Sequence, residues 1–282
     1  MLTICPTPIG NLDDMTKRQH RALADADVIA CEDTRRTGKL LELVGIERVD
    51  GRPELWRYDD HAGVQAAQSV ADIVEQGKSV VLVSDAGTPT ISDPGYRLVS
   101  ACRKRGLEVT ALPGPVAATV ALSGSGMATD RFYFEGFLPS KAKARRRRLE
   151  ALDEVGVTVV AYESPRRIVR ALKDVEAVCG SQREVCVARE LTKLHEEYLV
   201  GSVEAIRGEL EGRDSLRGEF VLCIGAAAEA GGEEARWKEV DRAIEVLHQR
   251  GVRRRTIKDF VAEIYEVPRA QIYDRIDAVV GE

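Results

Sequence analysis

Short apolar runs alternate with amphipathic helical patterns through the first 112 residues, and this alternation limits the possible folds most strongly. The clearest run is Ser79-Val80-Val81-Leu82-Val83, whose β-branched character is typical of a buried parallel strand. The sequence predicts strands at Leu2–Cys5, Val28–Cys31, Leu55–Tyr58, Val80–Ser84 and Glu108–Leu112, and helices at 16–26, 34–44, 62–76 and 95–105. Such a βαβ series implies an α/β fold with a parallel sheet and helices on its faces.

The texture of the sequence changes after Leu122. Ser123-Gly124-Ser125-Gly126 is predicted to be a flexible break, and strands with fewer and shorter helices between them are predicted at 132–137, 157–162, 184–189, 198–200 and 219–224. This pattern favours a second α/β domain with a mixed sheet. The composition of 225–232 is typical of a linker, and three helices are predicted beyond it, the last two separated at Val267-Pro268. We therefore predict an N-terminal α/β domain at 1–122, a second α/β domain at 123–226 and a C-terminal helical unit at 233–282.

Composition is that of an ordinary soluble globular protein, with 44% hydrophobic and 31% charged residues among 282. No apolar run is long enough for a membrane helix and no signal peptide is recognisable, so a cytoplasmic protein without a membrane partner is expected. The six cysteines form no CxxC pair, and the four histidines lack a metal-binding spacing. We predict that the cysteines are small core residues and that no metal is bound.

The loop after the 79–83 run is the strongest indication of a ligand site. Residues 84–95, SDAGTPTISDPG, contain two Gly, two Pro and two Asp. An ordinary βα turn has about two to six residues, and a longer polar loop is often functional. Ligands of open α/β sheets lie beyond the carboxyl ends of the strands, where glycine allows close approach of the backbone. An ordinary turn, for which these residues are also suited, is the alternative interpretation.

Polar motifs also follow the other predicted strands. They are TPIGNLDD at 7–14, CEDTRRT at 31–37, DDH at 59–61, LPGP at 112–115, YESPRR at 162–167 and RELTK at 189–193. Each alone is a weak signal, but together they predict one rim that surrounds a cleft. The sequence contains no GxGxxG after the first strand, no GxxxxGK[ST] and no GxSxG, which argues against a dinucleotide site, P-loop chemistry and an α/β-hydrolase.

Two basic clusters stand out against a net charge of −5. One is Lys141–Arg148 and the other is Arg250–Lys258 in the predicted helical unit. A solvated helix face is one interpretation, but two clusters in an acidic chain favour a local polyanionic partner. RNA is at least as plausible as DNA, and an aromatic content of 5% argues against a large platform for single strands.

The motifs together resemble one family. TPIGNLDDMT, CEDTRRT, SDAGTPTISDPG, PGPVAA, GFLP, YESPRR and RELTKLHEE occur in the order and spacing of the bacterial 16S ribosomal RNA cytidine 2′-O-methyltransferases, in the tetrapyrrole (corrin/porphyrin) methylase superfamily. The resemblance covers residues 2 to 225, and the last fifty residues resemble that family only loosely.

The resemblance implies two α/β domains that form a homodimer and bind S-adenosylmethionine in the cleft between them. The cofactor-binding residues that it implies are Pro8, Gly10, Asp85, Gly87, Thr88, Pro89, Ile91, Asp93, Pro113, Gly114, Pro115, Ala117, Ala118, Tyr162, Glu163 and Leu191. It also implies that the substrate is RNA of the small ribosomal subunit.

A ribose 2′-hydroxyl is a poor nucleophile, so its methylation benefits from a general base or from stabilisation of the developing alkoxide. The candidate catalytic residues are Glu32, Asp33, His61, Glu163 and Lys193, and the sequence does not rank them. The candidate RNA-binding residues are Arg35, Arg36, Lys141, Arg145, Arg146, Arg147, Arg148, Arg166, Arg253, Arg254 and Arg255. Surface ion pairing is the alternative for each arginine.

Two other functions compete with RNA methylation. One is methylation of a tetrapyrrole on the same fold, against which the basic clusters and the helical tail argue. The other is a nucleic-acid-binding protein without catalysis, against which the polar strand ends around one cleft argue.

Overall fold

A computed structural model describes residues 1–59, 63–227, 232–265 and 267–280. The chain divides into two compact units, Met1–Gly225 and Ala226–Glu282. Each unit has its own hydrophobic core. The further division of the first unit at residue 122 stays a prediction, although residues on either side of it form separate sheets.

The first sheet consists of β1 (Leu2–Ile4), β2 (Val28–Cys31), β3 (Glu54–Arg57), β4 (Val80–Leu82) and β5 (Val109–Ala111). Its five strands are parallel and lie in the order β3-β2-β4-β1-β5. The strands are connected by α1 (Lys17–Ala24), α2 (Thr34–Leu43), α3 (Gly63–Glu75) and α4 (Tyr96–Lys104). The predicted βαβ series is confirmed, and the ends of its elements differ from prediction by at most two residues.

Alternate residues along the 80–83 run pack into two separate cores. Val80 and Leu82 lie in a hydrophobic cluster with α3 and α4, whereas Val81 and Val83 lie in a cluster with α1 and α2. Because helices cover both faces of this sheet, its strands need continuous apolar runs and not alternating ones.

Side-chain caps determine where the first two helices begin. The Thr16 hydroxyl accepts a hydrogen bond from the Gln19 amide at 3.2 Å, and the Gln19 side chain accepts one from the Thr16 amide at 2.6 Å. This reciprocal capping box satisfies amides that the helix itself leaves unpaired. The Asp33 carboxylate accepts a hydrogen bond from the Arg35 amide at 2.9 Å and so caps α2. Asp33 is thus a helix cap.

Helix α5 (Ala117–Gly124) connects the two sheets and overturns one prediction. Ser123 and Gly124 belong to this helix, so the expected flexible break is wrong there. The ring of Tyr198 lies so close to Gly124 that a Cβ would come within 2.7 Å of it, and the Tyr198 hydroxyl donates to the Val120 carbonyl at 3.2 Å. Glycine serves close helix–sheet packing at this position.

The second sheet consists of β6 (Phe132–Phe137), β7 (Thr158–Glu163), β8 (Glu184–Arg189), β9 (Glu197–Ser202) and β10 (Phe220–Ile224). Its order is β6-β7-β10-β8-β9, with β6 parallel to β7 and the other neighbours antiparallel. The predicted mixed sheet is confirmed. One face packs against α6 (Ala142–Asp153), α7 (Ile168–Cys179) and α8 (Val203–Glu211), and the other packs against α5.

The sequence predicted shorter helices in this half than in the first, and this prediction is wrong. Helices α6 and α7 have 12 residues each. The reason is visible in α6, whose buried positions are Arg145, Leu149 and Leu152. An arginine stands at the first inward position and interrupts the apolar periodicity from which a helix is recognised.

The second unit consists of α9 (Gly232–Gln249), α10 (Arg254–Ile264) and α11 (Arg269–Val280), which confirms the three predicted helices. Its core contains Val240, Ile244, Ile257, Val261, Val267, Ile272 and Ile276. Residues 228–231 of the predicted linker lie outside the described residues.

Five of the six cysteines are buried, at Cys5, Cys31, Cys102, Cys186 and Cys223, and Cys179 is half-buried. Each of the five lies in a hydrophobic cluster, which confirms that they are small core residues. No helix in the described parts of the chain has the length and apolar character that spanning a membrane requires.

Candidate functional site

The site begins at the carboxyl ends of the two central strands, β1 and β4. The amide of Thr7 donates to the carbonyl of Gly87 at 2.9 Å, and the amide of Gly87 donates to the carbonyl of Thr7 at 3.0 Å. The Thr7 hydroxyl donates to the Ser84 carbonyl at 3.1 Å. Two of the predicted motifs are therefore joined by backbone pairing, which fixes the path of the long loop.

The backbone of the 84–95 loop is strained at several positions. Thr90 and Ser92 have φ angles of 76° and 60°, in the left-handed region that side chains other than glycine rarely adopt. Gly87 and Gly95 have φ angles of 91° and 131°. Conformations of this kind persist where the surroundings hold them and are concentrated at binding sites.

This loop forms one wall of a cavity of about 350 Å³. The size falls in the range of small-molecule sites. The opposite walls come from the second sheet and from the start of α5. The lining residues are Ile9, Ala86, Gly87, Thr88, Ile91, Ser92, Asp93, Val116, Ala117, Phe137, Tyr162, Glu163, Ser164, Pro165, Leu191, Gly218, Glu219, Phe220 and Val221.

The structure brings half of the predicted cofactor residues to this cavity. They are Gly87, Thr88, Ile91, Asp93, Ala117, Tyr162, Glu163 and Leu191. The other eight, Pro8, Gly10, Asp85, Pro89, Pro113, Gly114, Pro115 and Ala118, do not line it. Several of these support the wall from behind: the Thr88 hydroxyl donates to the Pro115 carbonyl at 2.8 Å, and the Ala118 amide donates to the Tyr162 hydroxyl at 3.3 Å.

Two of the supporting glycines are required by close packing. A Cβ on Gly10 would overlap the side chains of Lys193 and Thr192, and a Cβ on Gly114 would overlap Pro6. The Gln19 side chain also donates to the Pro113 carbonyl at 3.0 Å. These contacts hold the TPIGN, PGP and RELTK motifs against one another. The two glycines therefore support the site by close packing and do not line the cavity.

Glu163 has a buried carboxylate oxygen without a partner at the cavity wall. Its Oε1 accepts a hydrogen bond from the Ser164 amide at 2.7 Å and lies 3.1 Å from Nε of Arg167, whereas Oε2 has no hydrogen-bond partner among the described residues. The side chain is fully buried. Buried polar atoms in proteins nearly always have a hydrogen-bond partner, so this oxygen is a position where a bound water or ligand would supply a donor.

Asp93 is the second carboxylate of interest at the cavity. Burial raises the pKa of Asp93 to about 6. A hydrogen bond with Ser84 lowers this pKa, and the negative charge of Asp85 raises it further. Glu32 lies close enough that burial and then the charge of Asp93 raise its pKa too, but it does not line the cavity. Asp85 faces away to Arg36, at 3.0 Å.

Lys193 is held by two carboxylates. Its ammonium donates to Glu190 at 2.8 Å and to Glu219 at 2.9 Å. Partial burial works against protonation, but these hydrogen bonds outweigh it and raise the pKa of Lys193. A lysine that stays protonated at neutral pH is a source of positive charge and not a base, which corrects one of the options for this residue. His61, another candidate, lies outside the described residues.

The sequence missed several lining residues, of which Phe137, Ser164 and Val221 are examples. Val221 and its neighbour Phe220 on β10 are apolar, so the sequence gives no sign that they face a ligand. For Phe137 a signal existed in Gly136, because a glycine inside a strand often marks a bulge. Ser164 lies within the predicted YESPRR motif.

Arg145 corrects the predicted RNA surface on α6. It is 3% exposed, and its Nε donates to Asp174 at 2.8 Å, while Nη1 donates to the carbonyls of Pro139 and Ser140 at 3.2 Å. The prediction that Arg145 contacts RNA is wrong, because its guanidinium is enclosed and fully engaged inside the protein.

The neighbouring basic residues differ in how they are engaged. Arg146 pairs with Asp174 at 2.6 Å, and Arg148 pairs with Glu135 at 2.6 Å. Lys141, Lys143 and Arg147 are exposed and line a shallow groove on α6, together with Arg148. We call these four residues the α6 basic groove.

The remaining predicted RNA-binding residues lie on exposed surface. Arg35 pairs with Asp33 at 2.9 Å, and both Arg35 and Arg36 lie in the first turn of α2 with most of their side chains exposed. Arg166 is exposed next to the YESPRR turn. Arg253, Arg254 and Arg255 are exposed at the start of α10 in the second unit, where Arg254 pairs with Asp277 at 3.0 Å.

A family model described as Tetrapyrrole (Corrin/Porphyrin) Methylases matches residues 1–207. The chain belongs to this family. It is 43% identical over 97% of its length to "Ribosomal RNA small subunit methyltransferase I" of Vibrio cholerae, 93% of which is covered. It is 45% identical over 79% of its length to the protein of that name from Escherichia coli O157:H7, 77% of which is covered. These matches confirm the resemblance and make the chain an enzyme of a methyltransferase family.

Solved structures confirm the fold. A uroporphyrin-III C-methyltransferase from Thermus thermophilus, complexed with S-adenosyl homocysteine, matches 82% of this chain and 99% of that chain. The TM-score is 0.54 at 16% identity. The architecture of two α/β halves with a cavity between their sheets is therefore that of the tetrapyrrole methylases.

Methyltransferases of this family use S-adenosylmethionine. The cavity fits such a group, which combines an apolar adenine with a positive sulfonium and an ammonium. Its walls are apolar at Ile9, Leu191 and Val221, and the carboxylate-bearing residue Glu163 is also part of the lining. No cluster of three or more metal-ligating side chains occurs in the described residues.

Proposed function

We propose that this enzyme transfers the methyl group of S-adenosylmethionine to the 2′-oxygen of a cytidine ribose in the 16S RNA of the small ribosomal subunit, in the cytoplasm. The observation that carries the proposal is 43% identity over 97% of the chain to a protein named for small-subunit ribosomal RNA methylation. The choice of the cytidine 2′-hydroxyl rests on the sequence motifs, SDAGTPTISDPG and RELTK above all.

The cavity residues other than Phe137, which lies at the mouth, would bind and orient the cofactor, which supplies an electrophilic methyl group when bound. Glu163 would help to hold the cofactor, because the negative charge of its carboxylate at the cavity wall would stabilise a positive ligand. Gly87 brings backbone close to the cavity, and apolar side chains exclude water from it. Exclusion of water strengthens these charge interactions.

Asp93 accepts the proton of the acceptor hydroxyl. Formation of the new carbon–oxygen bond would release the proton of the acceptor hydroxyl, and the carboxylate of Asp93 would hold that proton. A pKa of about 6 leaves Asp93 ionised at pH 7, yet makes it a stronger base than an ordinary aspartate. Glu219 also lines the cavity but is engaged by Lys193.

Phosphates flanking the acceptor nucleotide bind to the exposed cations, namely the α6 basic groove, Arg35, Arg36 and Arg166. Such interactions add affinity that depends on salt and not on sequence. Arg253, Arg254 and Arg255 supply further phosphate-binding groups from the second unit.

The enzyme acts as a homodimer, which rests on the family resemblance. Light scattering at micromolar concentration is expected to give about 62 kDa, twice the 31.0 kDa of the chain. A monomer with full activity would contradict this part of the proposal.

The decisive test offers the enzyme and labelled S-adenosylmethionine to three acceptors: unmethylated small subunits, free 16S RNA and uroporphyrinogen. Label is expected in RNA, at one cytidine whose 3′ phosphodiester becomes resistant to alkali because the 2′-oxygen is blocked. Glu163→Gln should weaken calorimetric binding of the cofactor. Label in uroporphyrinogen alone would support the tetrapyrrole alternative and overturn the proposal.

A further inference from the structure

A β-bulge in β6 turns one aromatic side chain toward the cavity. On the neighbouring strand, Val160 lies opposite Phe134 and Ala161 lies opposite Gly136, so Glu135 and Gly136 together face one residue of β7. Gly136 has a φ of 72°, which suits the bulge and which other residues rarely adopt.

The bulge changes which residues share a face of the strand. In a regular strand Phe134 and Gly136 would point to one side and Phe137 to the other. The extra residue instead places Phe137 beside Tyr162, on the same side as Phe134. The ring centroids of Phe134 and Phe137 lie 5.1 Å and 5.7 Å from that of Tyr162, both at edge-to-face angles.

Phe137 remains 57% exposed although it lines the cavity. Its packing against Tyr162 supports one part of the ring and leaves apolar surface free for a ligand. Ile91, at 39%, is the other exposed large aliphatic or aromatic residue of the lining. The lining residues Ile9, Leu191, Phe220 and Val221 are buried, so Phe137 stands where the cavity meets solvent.

We infer that Phe137 stacks against the base of the nucleotide whose ribose is methylated, and so positions the acceptor. The inference deepens the proposed function and rests on it. Sequence-specific proteins recognise unstacked RNA bases by aromatic stacking, and a reaction at a ribose needs the nucleotide held still at the cavity mouth.

The chain that follows Phe137 supports an RNA acceptor. Lys141, in the α6 basic groove, comes four residues later, and four residues span at most about 14 Å. A base on Phe137 therefore leaves its flanking phosphates within reach of exposed cations. An aromatic ring next to a basic groove is the usual arrangement for binding a single strand.

The test compares Phe137→Leu, Phe137→Tyr and Phe137→Trp with the wild type on small subunits below saturation. Leucine keeps an apolar side chain but cannot stack, whereas tyrosine and tryptophan can. We expect Phe137→Leu to lower kcat/KM for RNA about tenfold to a hundredfold, and the two aromatic variants to stay within about threefold. The cofactor Kd and the unfolding midpoint should not change.

Phe132→Leu is the matched control, because Phe132 is 40% exposed on the same strand and does not line the cavity. It should behave as wild type. An equal loss for all Phe137 variants, or a weakened cofactor Kd in Phe137→Leu, would overturn the inference, the second because the ring would then contact the cofactor. Unchanged RNA kinetics in Phe137→Leu would also overturn it while leaving the proposed function intact. Absence of RNA labelling by the wild type would overturn both.

Discussion

Gly87 combines a backbone and a steric requirement at the cavity wall. Its φ is 91°, and a Cβ would lie 3.4 Å from the Ile9 side chain and 3.6 Å from the Pro115 carbonyl. Gly87→Val should therefore abolish cofactor binding measured by calorimetry. Gly77→Val is the control, because Gly77 has a φ of 88° with open space around it. Both variants should lose about 1–3 kcal/mol of stability through backbone strain, but only Gly87→Val should lose the cofactor. Equal cofactor affinity in the two would remove this loop from the site.

The proposed role of Asp93 predicts that activity depends on pH near 6. With a pKa of about 6, the carboxylate becomes protonated as the pH falls through 6, and the log of kcat/KM should decrease below that point. Asp93→Asn should lower kcat about a hundredfold or more at pH 8 and remove this limb. A variant that keeps the wild-type rate and profile would assign the proton to another group.

The same shift changes stability with a sign that can be checked. The pKa of Asp93 is raised on folding, from 3.8 to about 6, so the folded state binds protons more tightly. Above pH 6 the charged Asp93 carboxylate therefore lowers the free energy of unfolding. The loss is about 1 kcal/mol, because the carboxylate is partly exposed and solvent screens its charge. Asp93→Asn should be more stable than wild type at pH 8 and lose that advantage near pH 4. Chemical denaturation at both pH values measures the difference.

At the level of single residues, the sequence identified functional residue types better than it identified whether each side chain is buried or exposed. It selected Glu163 as a carboxylate at a strand end and Asp93 through the family resemblance, and both line the cavity. It placed Arg145 and Arg147 in one RNA-binding cluster. In the structure Arg147 is exposed, whereas Arg145 is buried and pairs with Asp174, which is distant in the sequence. A run of four arginines on a helix covers more than one face, and the sequence alone does not show which of them points inward.

Elements were predictable where a continuous apolar run marks a buried strand, as in β2, which begins and ends where predicted. The last residues of helix α5 and the bulge in β6 were not predicted, because each depends on what a glycine does there: Gly124 packs closely against Tyr198, and Gly136 adopts a positive φ within the strand. A glycine signals freedom of the backbone, and only the neighbouring element determines whether that freedom serves a break or a close approach.

Helix α6 separates a structural arginine from the exposed ones. Arg145→Ala should destabilise the protein by about 3 kcal/mol, because it breaks a buried ion pair with Asp174. Arg147→Ala should change stability by less than about 0.5 kcal/mol, but raise the KM for small subunits. It should also lower the log–log salt slope of binding by about 0.7 if the variant binds one single-strand phosphate fewer. Thermal unfolding and salt titrations measure both variants. Wild-type KM and slope for Arg147→Ala would assign this face to solvent.

At the scale of the whole molecule, the parallel sheet, the mixed sheet and the three-helix unit followed from the sequence, since each has a distinct apolar pattern. The arrangement of the cavity did not, because it depends on pairings such as that of Thr7 with Gly87, eighty residues apart. Strand order brings these loops together, and a βαβ pattern alone does not determine strand order.

The two compact units predict the result of removing the second. Strand β10 ends at Ile224, and Gly225 is still anchored: its amide donates to Glu184 at 2.9 Å and its carbonyl accepts from Arg183 at 3.1 Å. Among the described residues, none beyond Ile224 belongs to the hydrophobic clusters of the first unit, so a chain ending at Gly225 should unfold cooperatively and bind the cofactor with unchanged Kd.

Its KM for small subunits should rise, and its salt slope should fall by about 0.7 for each phosphate that Arg253, Arg254 and Arg255 would have bound. The full chain with all three changed to alanine is the control, and it should account for most of the effect if charge is what the second unit contributes. A larger effect in the truncated chain would mean that the helices supply binding surface besides charge. Unchanged KM and slope in both would show that this unit does not bind RNA, whereas loss of cooperative unfolding on truncation would contradict the independence of the first unit.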